Sequence, residues 1–409
     1  MRRGAAIAAG RAILAAFCLF TLAACVSTPP PRISLAAIPA EQVARAQANL
    51  AVFERAWSLV ADRHYDLKLA GIDWKAAGEK FGAQAAAAKD ETSLYTALNA
   101  MLAPLGDSHT HAIAPTQARE RRTQQRARIG FGLTRLEGRW VVNEVLPGSP
   151  AAEVGVQVGW IVLSRQGEAL GERPRFRAEE GETIAWVFLD AEDRERRVTA
   201  MARTLSTASR QEARELEGGF VYLRFDEFDG PDRRWLGREL VKHRAAPGVV
   251  IDLRRNPGGE TFSLGITIGE FFDRSVDCGT FITRSGSRSV KRSWQLGSAN
   301  YAGQVVVLVD SATGSAAEIF SAVLQDHGRA TVIGRRTAGA VLASRFYRLP
   351  DGGELQLSRE DYVAPKGRRI EGQGVEPDVK IERTLAALRA GRDPDLEAAL
   401  RVLRGAQPP

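Results

Sequence analysis

Short runs of apolar residues in the second half of the chain constrain the fold more strongly than any other feature of the sequence. Each run is followed by a stretch with helical patterning, and the runs lie at residues 220–223, 248–251 and 305–309. Apolar strands that alternate with amphipathic helices form a sheet buried beneath those helices. The sequence therefore predicts an α/β core domain over residues 205–385, followed by a C-terminal helix over residues 386–409.

An apolar stripe at helical spacing marks an earlier region, residues 39–118. Its members recur at helical spacing, in steps of three, four or seven positions: Val43, Leu50, Phe53, Trp57, and Val60 with Ala61. Asp73 is a candidate N-cap for a second helix, and a third helix is expected from Thr92 to Leu102. We expect a small N-terminal helical domain.

Residues 126–204 have a different pattern, in which short strands are separated by glycines. The order of these elements resembles a PDZ domain, which is a small β-barrel. The resemblance implies that a peptide adds to it as a strand and places its terminal carboxylate against the backbone N–H groups of Gly130, Phe131, Gly132 and Leu133. Trp160 departs from that family, which usually has Asp at this position. A glycine-rich β-barrel domain without a peptide ligand remains the alternative.

Ser315 is the candidate nucleophile of the chain. It lies between the apolar run that ends at Val309 and a following helical stretch. A serine at this place is close to the positive end of the helix dipole and to N–H groups that the helix leaves unpaired. The same position also suits a serine that only caps the helix, and the segment alone does not separate the two interpretations.

A glycine-rich turn at residues 256–259, Asn-Pro-Gly-Gly, follows another apolar run. Glycines after a proline allow a sharp turn that leaves an N–H group pointing outward. We expect the N–H groups of Gly258 and Ala316 to form an oxyanion hole beside Ser315.

His109 and His111 are two of the five histidines of the chain, and they lie in the segment 105–111. A serine nucleophile needs a general base, which is most often histidine. A His-x-His pair also suits a metal site, but the sequence offers no third ligand cluster and no His-Glu-x-x-His motif. We therefore expect no metal and no other cofactor.

The N-terminus has the pattern of an export signal. Three arginines precede or enter an apolar stretch that ends with small residues before Cys25. The stretch is too short for a membrane span, so residues 1–24 are interpreted as a signal peptide. The ending resembles a bacterial lipobox, which implies lipid attachment at Cys25, a proline-rich tether over residues 25–38, and a location on the periplasmic side of the outer membrane. An ordinary signal peptide is the alternative.

Charge and cysteine content exclude other classes. Removal of the three leader arginines lowers the net charge from +7 to +4. The arginine-rich segment 119–128 contains no aromatic residue and is interpreted as a solvated connector, so no nucleic-acid partner is expected. Cys278 is the only cysteine left besides Cys25, so no internal disulfide holds the mature chain together.

Several motifs together resemble the tail-specific, or carboxy-terminal processing, serine protease family, which includes the core domain of tricorn protease. They occur in the order 256–259, 314–319 (Gly-Ser-Ala-Ala-Glu-Ile), 334–339 (Gly-x-x-Thr-x-Gly) and 371–378 (Glu-Gly-Gln-Gly-Val-Glu-Pro-Asp). The resemblance spans roughly residues 40–385. It implies a crotonase-like α/β catalytic core with an N-terminal helical domain and an inserted PDZ-like domain.

The family contains two catalytic arrangements. One pairs the serine with a lysine, but this chain has Ala340 at the lysine position. The histidine-dependent, tricorn-like arrangement remains, and it implies that His109 is the base and that Glu371 and Ser108 orient it. We therefore expect a serine endopeptidase of the cell envelope that cleaves unfolded polypeptides or polypeptides with exposed C-termini. The alternative is an inactive peptide- or ligand-binding protein on the same scaffold, and nothing in the sequence indicates an oligomeric state.

Overall fold

The computed structural model of the chain describes residues 29–172, 176–297 and 299–406. The predicted signal peptide and the lipidation site Cys25 lie outside the described residues. Among the described helices, none is both long and apolar enough to cross a bilayer.

The N-terminal region is helical, as predicted. Its elements are α1 (Val43–Arg63), α2 (Trp74–Ala86), α3 (Glu91–Leu102), a short strand β1 (His111–Ile113) and α4 (Pro115–Thr123). Asp73 is the N-cap of α2, where its side chain accepts a hydrogen bond from the N–H of Ala76 at 2.9 Å. The apolar stripe of α1 packs with α3 around a buried cluster that contains Phe53, Trp57 and Leu98. This cluster holds the segment after α3, which carries Ser108 and His109.

A separate antiparallel sheet follows. This region contains β2 (Gln125–Arg128), β3 (Phe131–Leu136), β4 (Arg139–Val145), α5 (Pro150–Glu153), β5 (Ile161–Arg165), β6 (Glu168–Ala169), β7 (Thr183–Leu189), β8 (Glu195–Met201) and β9 (Arg203–Ser206). The short strands β2 and β9 pair with each other, and the strands between them form the sheet. The strand order is β3-β4-β5-β7-β8, so β3 is an edge strand. Trp160 is buried with its ring centroid 5.6 Å from that of Phe188, which accounts for an aromatic residue at this position.

The core consists of strands and helices in alternation, as the apolar runs predict. Its elements are β10 (Gln211–Glu215), β11 (Val221–Phe225), α6 (Gly230–Lys242), β12 (Gly248–Asp252), α7 (Thr261–Gly269), β13 (Asp277–Thr283), β14 (Arg288–Arg292), β15 (Gln304–Val309), α8 (Ala316–Asp326), β16 (Thr331–Gly334), β17 (Ala343–Arg348), β18 (Glu354–Val363) and β19 (Val379–Lys380). The main sheet has the order β10-β11-β12-β15-β16-β19, and every pair except β10–β11 is parallel. The carboxyl ends of its strands therefore meet at one edge, where loops can converge on a common site.

A second sheet joins the N-terminal region to the core. β18 pairs with β1, β13 and β17, and β14 extends the sheet beyond β13. The pairing of β1 with β18 places His111 opposite Gln356. This sheet brings the Ser108–His109 segment to the core, although the segment lies more than 200 residues before Ser315 in the chain.

The predicted C-terminal helix over residues 386–409 is instead two helices, α9 (Leu385–Arg389) and α10 (Pro394–Leu403). Gly391 separates them with a φ of +67°, a left-handed conformation that ends α9 and that glycine adopts without strain. Leu385 of α9 is buried against the antiparallel sheet, whereas Ala398 and Leu403 of α10 pack on the main sheet of the core.

Candidate active site

Ser315 lies at the N-terminus of α8 in an unusual backbone conformation. Its φ of +52° and ψ of −121° are rare for a residue with a side chain, and such a conformation costs about 1–3 kcal/mol. Its hydroxyl makes no capping hydrogen bond to the helix. Its N–H is instead fixed by the carbonyl of Ala340 at 2.8 Å and by Glu318 Oε2 at 3.1 Å. The structure therefore favours a strained nucleophile over a serine that only caps the helix.

Gly258 packs directly against the nucleophile. An added Cβ on Gly258 would lie 2.6 Å from both Ser315 Cβ and the nitrogen of Ala316. The glycine is therefore required by the close approach of the loop, as well as by its φ of +102°.

The prediction of a free N–H on Gly258 is wrong. This N–H donates to the side-chain Oδ1 of Asn256 at 2.9 Å, in a turn that the Asn side chain closes on its own backbone. Ala316 is different, because it is the first residue of α8 and has no intrahelical acceptor. Its N–H takes no acceptor elsewhere in the described part of the chain. Of the two predicted oxyanion donors, only Ala316 has an available N–H.

His109, Ser108 and Glu371 come together as predicted. His109 Nδ1 lies 2.6 Å from Ser108 Oγ, which lies 3.1 Å from Glu371 Oε2. The other carboxylate oxygen of Glu371 accepts the backbone N–H of Ser108 at 3.1 Å. When the hydroxyl donates to the carboxylate, it accepts from the Nδ1–H of the imidazole. This tautomer leaves His109 Nε2 with a free lone pair, as a general base requires.

Burial tunes the two histidines of this segment. Burial lowers the pKa of His109 below its ordinary value of 6.5, although the nearby charge of Asp107 opposes the effect. His111 has a pKa lowered mainly by burial of its ring, but the residue as a whole is exposed, and it takes no part in the chain of contacts to Glu371. His109 is therefore neutral, and able to accept a proton, at neutral pH.

Asp107 and His64 support the turn that carries His109. Asp107 Oδ1 accepts the N–H groups of His109 at 2.9 Å and Thr110 at 2.6 Å, and its Oδ2 lies 2.7 Å from His64 Nε2. Burial alone would raise the pKa of Asp107, but hydrogen bonds from His64, Thr110 and Ser358 hold it well below its usual range. The base is therefore mounted on a buried, ionised carboxylate.

Two consecutive residues connect the base to the nucleophile. Val341 donates its N–H to Glu371 Oε2 at 2.9 Å, and the carbonyl of the preceding residue, Ala340, accepts the N–H of Ser315. One peptide unit thus separates the backbone of Ser315 from the carboxylate that orients Ser108. No hydrogen bond joins Ser315 Oγ directly to His109 among the described residues.

Glu318 is a site residue to which the sequence motifs assigned no role. It is fully buried and accepts from the backbone N–H groups of Gly339 at 2.7 Å and Ala340 at 2.8 Å, in addition to that of Ser315. The hydroxyl of Thr337 also donates a hydrogen bond to the Glu318 carboxylate, at 2.5 Å. Burial raises the pKa of Glu318 despite these hydrogen bonds. The Ser-x-x-Glu spacing, which is that of a capping box, is the sequence signal that indicates the contact with Ser315.

The predicted peptide-binding residues of the antiparallel sheet are only partly available. Phe131 points into the domain, with its ring centroid 5.0 Å from that of Trp186. Gly132 faces the core, because an added Cβ would lie 3.0 Å from the guanidinium of Arg255. Arg255 also forms a salt bridge with Glu144 at 2.7 Å. One edge of β3 has no neighbouring strand among the described residues, so it is open to an added strand. The described part of the segment between β6 and β7 contains no helix.

Within the described residues, no group of three or more His, Cys, Asp or Glu side chains is arranged to hold a metal ion. A strained serine is linked through one peptide unit to a buried acid, a hydroxyl and an imidazole, which are the residue types of nucleophilic catalysis. Two regions of the chain are also similar to known protein families. The sequence model of peptidase family S41 matches residues 219–381, and that of the tricorn protease C1 domain matches residues 46–103.

The chain is a serine peptidase. It is 28% identical over 369 residues to a carboxyl-terminal-processing protease of Picosynechococcus sp., covering 85% of this chain and 88% of the relative. Its fold is similar to that of a photosystem II D1 C-terminal processing protease, with a TM-score of 0.59, 23% identity, and 87% and 97% of the two chains covered. Its fold also resembles that of tricorn protease, with a TM-score of 0.54 and 20% identity. That match covers 88% of this chain and only 36% of the tricorn protease chain.

Proposed function

We propose that this serine peptidase is an endopeptidase that uses Ser315 as nucleophile and His109 as general base. The observation that carries the proposal is the continuous set of contacts from His109 through Ser108 and Glu371 to the peptide unit that holds Ser315. In the lysine-dependent arrangement, a side chain at position 340 would supply the base. Ala340 has no such group, so the imidazole is the base that the site offers.

The reaction follows from these roles. Ser315 Oγ attacks the scissile carbonyl carbon, and its proton passes to His109 Nε2. The carbonyl oxygen becomes an oxyanion, which the N–H of Ala316 stabilises at the helix N-terminus. When the C–N bond breaks, His109 returns the proton to the leaving amine, and an acyl-enzyme on Ser315 remains. Water then attacks the acyl-enzyme with His109 again as base, which releases the acid and restores Ser315.

Ser108 and Glu371 act on the base rather than on the substrate. Glu371 is buried and holds the Ser108 hydroxyl, which in turn fixes the tautomer and the orientation of His109. The carboxylate also stabilises the imidazolium that forms during attack, because it lies one hydroxyl away from the ring.

The proposed substrates are unfolded polypeptides with exposed C-termini. The support is the similarity to carboxyl-terminal-processing proteases together with the edge strand β3, to which an extended peptide can add. Under this proposal the antiparallel sheet is a PDZ-like domain and the core is crotonase-like.

The protein acts in the cell envelope as a lipoprotein attached through Cys25, on the periplasmic side of the outer membrane. Replacement of Cys25 by Ser is expected to shift the protein from the membrane fraction to the soluble fraction, and an unchanged distribution would refute the anchor.

The catalytic proposal is tested by cleavage of an unfolded reporter polypeptide that ends in apolar residues. The variants are Ser315→Ala and His109→Ala, and His111→Ala is the matched control because it removes a neighbouring imidazole that does not contact Ser108 or Glu371. We expect Ser315→Ala and His109→Ala to lose activity by about 10³-fold or more, with His111→Ala close to wild type.

Each other result has a distinct meaning. Full activity of His109→Ala would show that another group is the base. If the wild type and Ser315→Ala both bind the reporter and neither cleaves it, the result would support the binding-protein alternative. An amidated reporter cleaved as fast as the free acid would refute recognition of the terminal carboxylate.

A further inference from the structure

We propose that Asp395, on the last helix α10, is a positioning residue for peptide-bond hydrolysis. It fixes the two loops that flank Ser315 by pairing with one arginine from each. The proposal rests on the proposed function, since it assumes that Ser315 is the nucleophile. Helix α10 lies beyond the S41 match, which ends at residue 381.

The first loop comprises residues 254–259 and ends with the Asn-Pro-Gly-Gly turn. Arg254, its first residue, contacts Asp395 Oδ2 through Nη1 at 2.9 Å. The same guanidinium makes two bonds of 2.8 Å to Asp393, at the N-cap of α10, and contacts Asp252 at the end of β12. A planar guanidinium that is paired on all sides has no rotational freedom, so it fixes the backbone that leads into the turn.

The second loop is the segment from Arg335 to Val341. Arg335 forms a bidentate pair with Asp395, at 2.7 and 2.9 Å. Two residues later, Thr337 binds Glu318, and Ala340 accepts the N–H of Ser315. Arg335 therefore stands at the start of the segment that holds both Glu318 and the nucleophile.

The two loops enclose the residues around the nucleophile. The N–H of Gly314 donates to the carbonyl of Asn256 in the first loop at 2.9 Å. From the second loop, Ala338 donates to the carbonyl of Thr313 at 3.0 Å. In the described chain, Asp395 is the side chain that pairs with an arginine from each loop, so it sets the separation of the loops.

Burial makes this pairing demanding. The Asp395 side chain is fully buried, and that of Arg254 is 12% exposed. Charge removed from one member of a buried network leaves the others without compensation. The helix also has contacts with the core that do not involve Asp395, because Ala398, Ala399 and Leu403 bury its apolar face against the main sheet.

The test uses the full-length enzyme and Asp395→Asn, which keeps the shape of the side chain and removes its charge. The readouts are kcat and KM for the reporter, the midpoint of thermal unfolding, and the rate at which a serine-reactive fluorophosphonate labels Ser315. We expect kcat and the labelling rate to fall by at least about tenfold at a temperature where the variant is folded, with KM within twofold.

Two further variants make the result specific. Glu397→Gln is the matched control on the same helix, because it breaks the exposed pair with Arg392 and is expected to behave as wild type. Asp393→Asn removes the charge of a more exposed residue, which pairs with Arg254 but not with Arg335. It is expected to lower kcat by a smaller factor than Asp395→Asn does.

The proposal is overturned if Asp395→Asn unfolds at a lower temperature but keeps the wild-type kcat and labelling rate. If Asp395→Asn does not fold, a wild-type kcat in Asp393→Asn overturns it instead. A wild type in which Ser315 does not react would refute the proposed function, and this proposal with it.

Discussion

Replacement of Gly258 by Ala tests how closely the Asn-Pro-Gly-Gly turn is fitted to the nucleophile. The new Cβ would lie 2.6 Å from Ser315 Cβ and from the nitrogen of Ala316, whereas ordinary contacts begin at 3.4 Å. Neither neighbour is the end of a flexible side chain, so the turn must move by about 0.8 Å. A displacement near 1 Å at a catalytic group lowers the rate by about 10²-fold. We therefore expect kcat for the reporter to fall by about 10²-fold.

The control separates this contact from the conformational effect of any glycine replacement. Gly352 has a similar φ of +93°, and an added Cβ there meets nothing within 4 Å. Both variants carry the strain of a left-handed alanine, about 1–3 kcal/mol in stability, but only Gly258→Ala disturbs Ser315. Equal activity of Gly258→Ala and Gly352→Ala would refute the reasoning, as would a loss of activity fully explained by unfolding.

Three further predictions concern the groups around the base and the nucleophile. Ser108→Ala breaks the contact between Glu371 and His109, so kcat should fall by about 10- to 100-fold, less than the loss of the base itself; an unchanged kcat would exclude the orienting role. Glu318→Gln places an amide against backbone N–H groups that need an acceptor, so urea unfolding should show a loss of about 1–3 kcal/mol and kcat should fall with it; unchanged stability would contradict the contacts. Burial lowers the pKa of His109, so the acid limb of the kcat/KM profile should lie below pH 6.5, and a limb above that value would contradict the assignment.

Replacement of Asp107 tests stability rather than rate. The lowered pKa of Asp107 fixes the direction in which its contribution to stability changes with pH. Its pKa is below the ordinary 3.8, so it stabilises the fold above pH 3.8 and loses this contribution as the pH falls further. Asp107→Asn should therefore be less stable than wild type at pH 7, by on the order of 2 kcal/mol. The difference should shrink in urea unfolding at pH 3, and a constant difference would contradict the ionised state.

The sequence predicted those parts of the structure that depend on local pattern. The main sheet was predictable because β12 and β15 are continuous apolar runs, as strands buried on both faces must be. The N-cap Asp73 and the helix stripe of α1 were predictable for the same reason, since capping and periodicity are properties of neighbouring residues. Gly391 carried a local signal too, and it explains why the single predicted C-terminal helix is two.

The site was predictable where motifs carry its residues and not where distant side chains complete it. Ser108, His109 and Glu371 meet as the resemblance implied, although 262 residues separate His109 from Glu371. His64 had no signal, because its contact with Asp107 depends on how α1 packs beside the turn. The prediction for the N–H of Gly258 is wrong because the Asn256 side chain closes the turn, and Asn two residues before the glycine is the local sequence signal for this closure.

The proposed mechanism requires that Ser315 is a nucleophile activated by His109. The most direct test is the mass of the intact protein after reaction with a serine-reactive fluorophosphonate, followed by mapping of the modified peptide. We expect one adduct per chain, on Ser315, with a labelling rate that falls by at least about 10²-fold in His109→Ala and stays unchanged in His111→Ala. An adduct on another serine, or a rate on Ser315 that does not depend on His109, would contradict it.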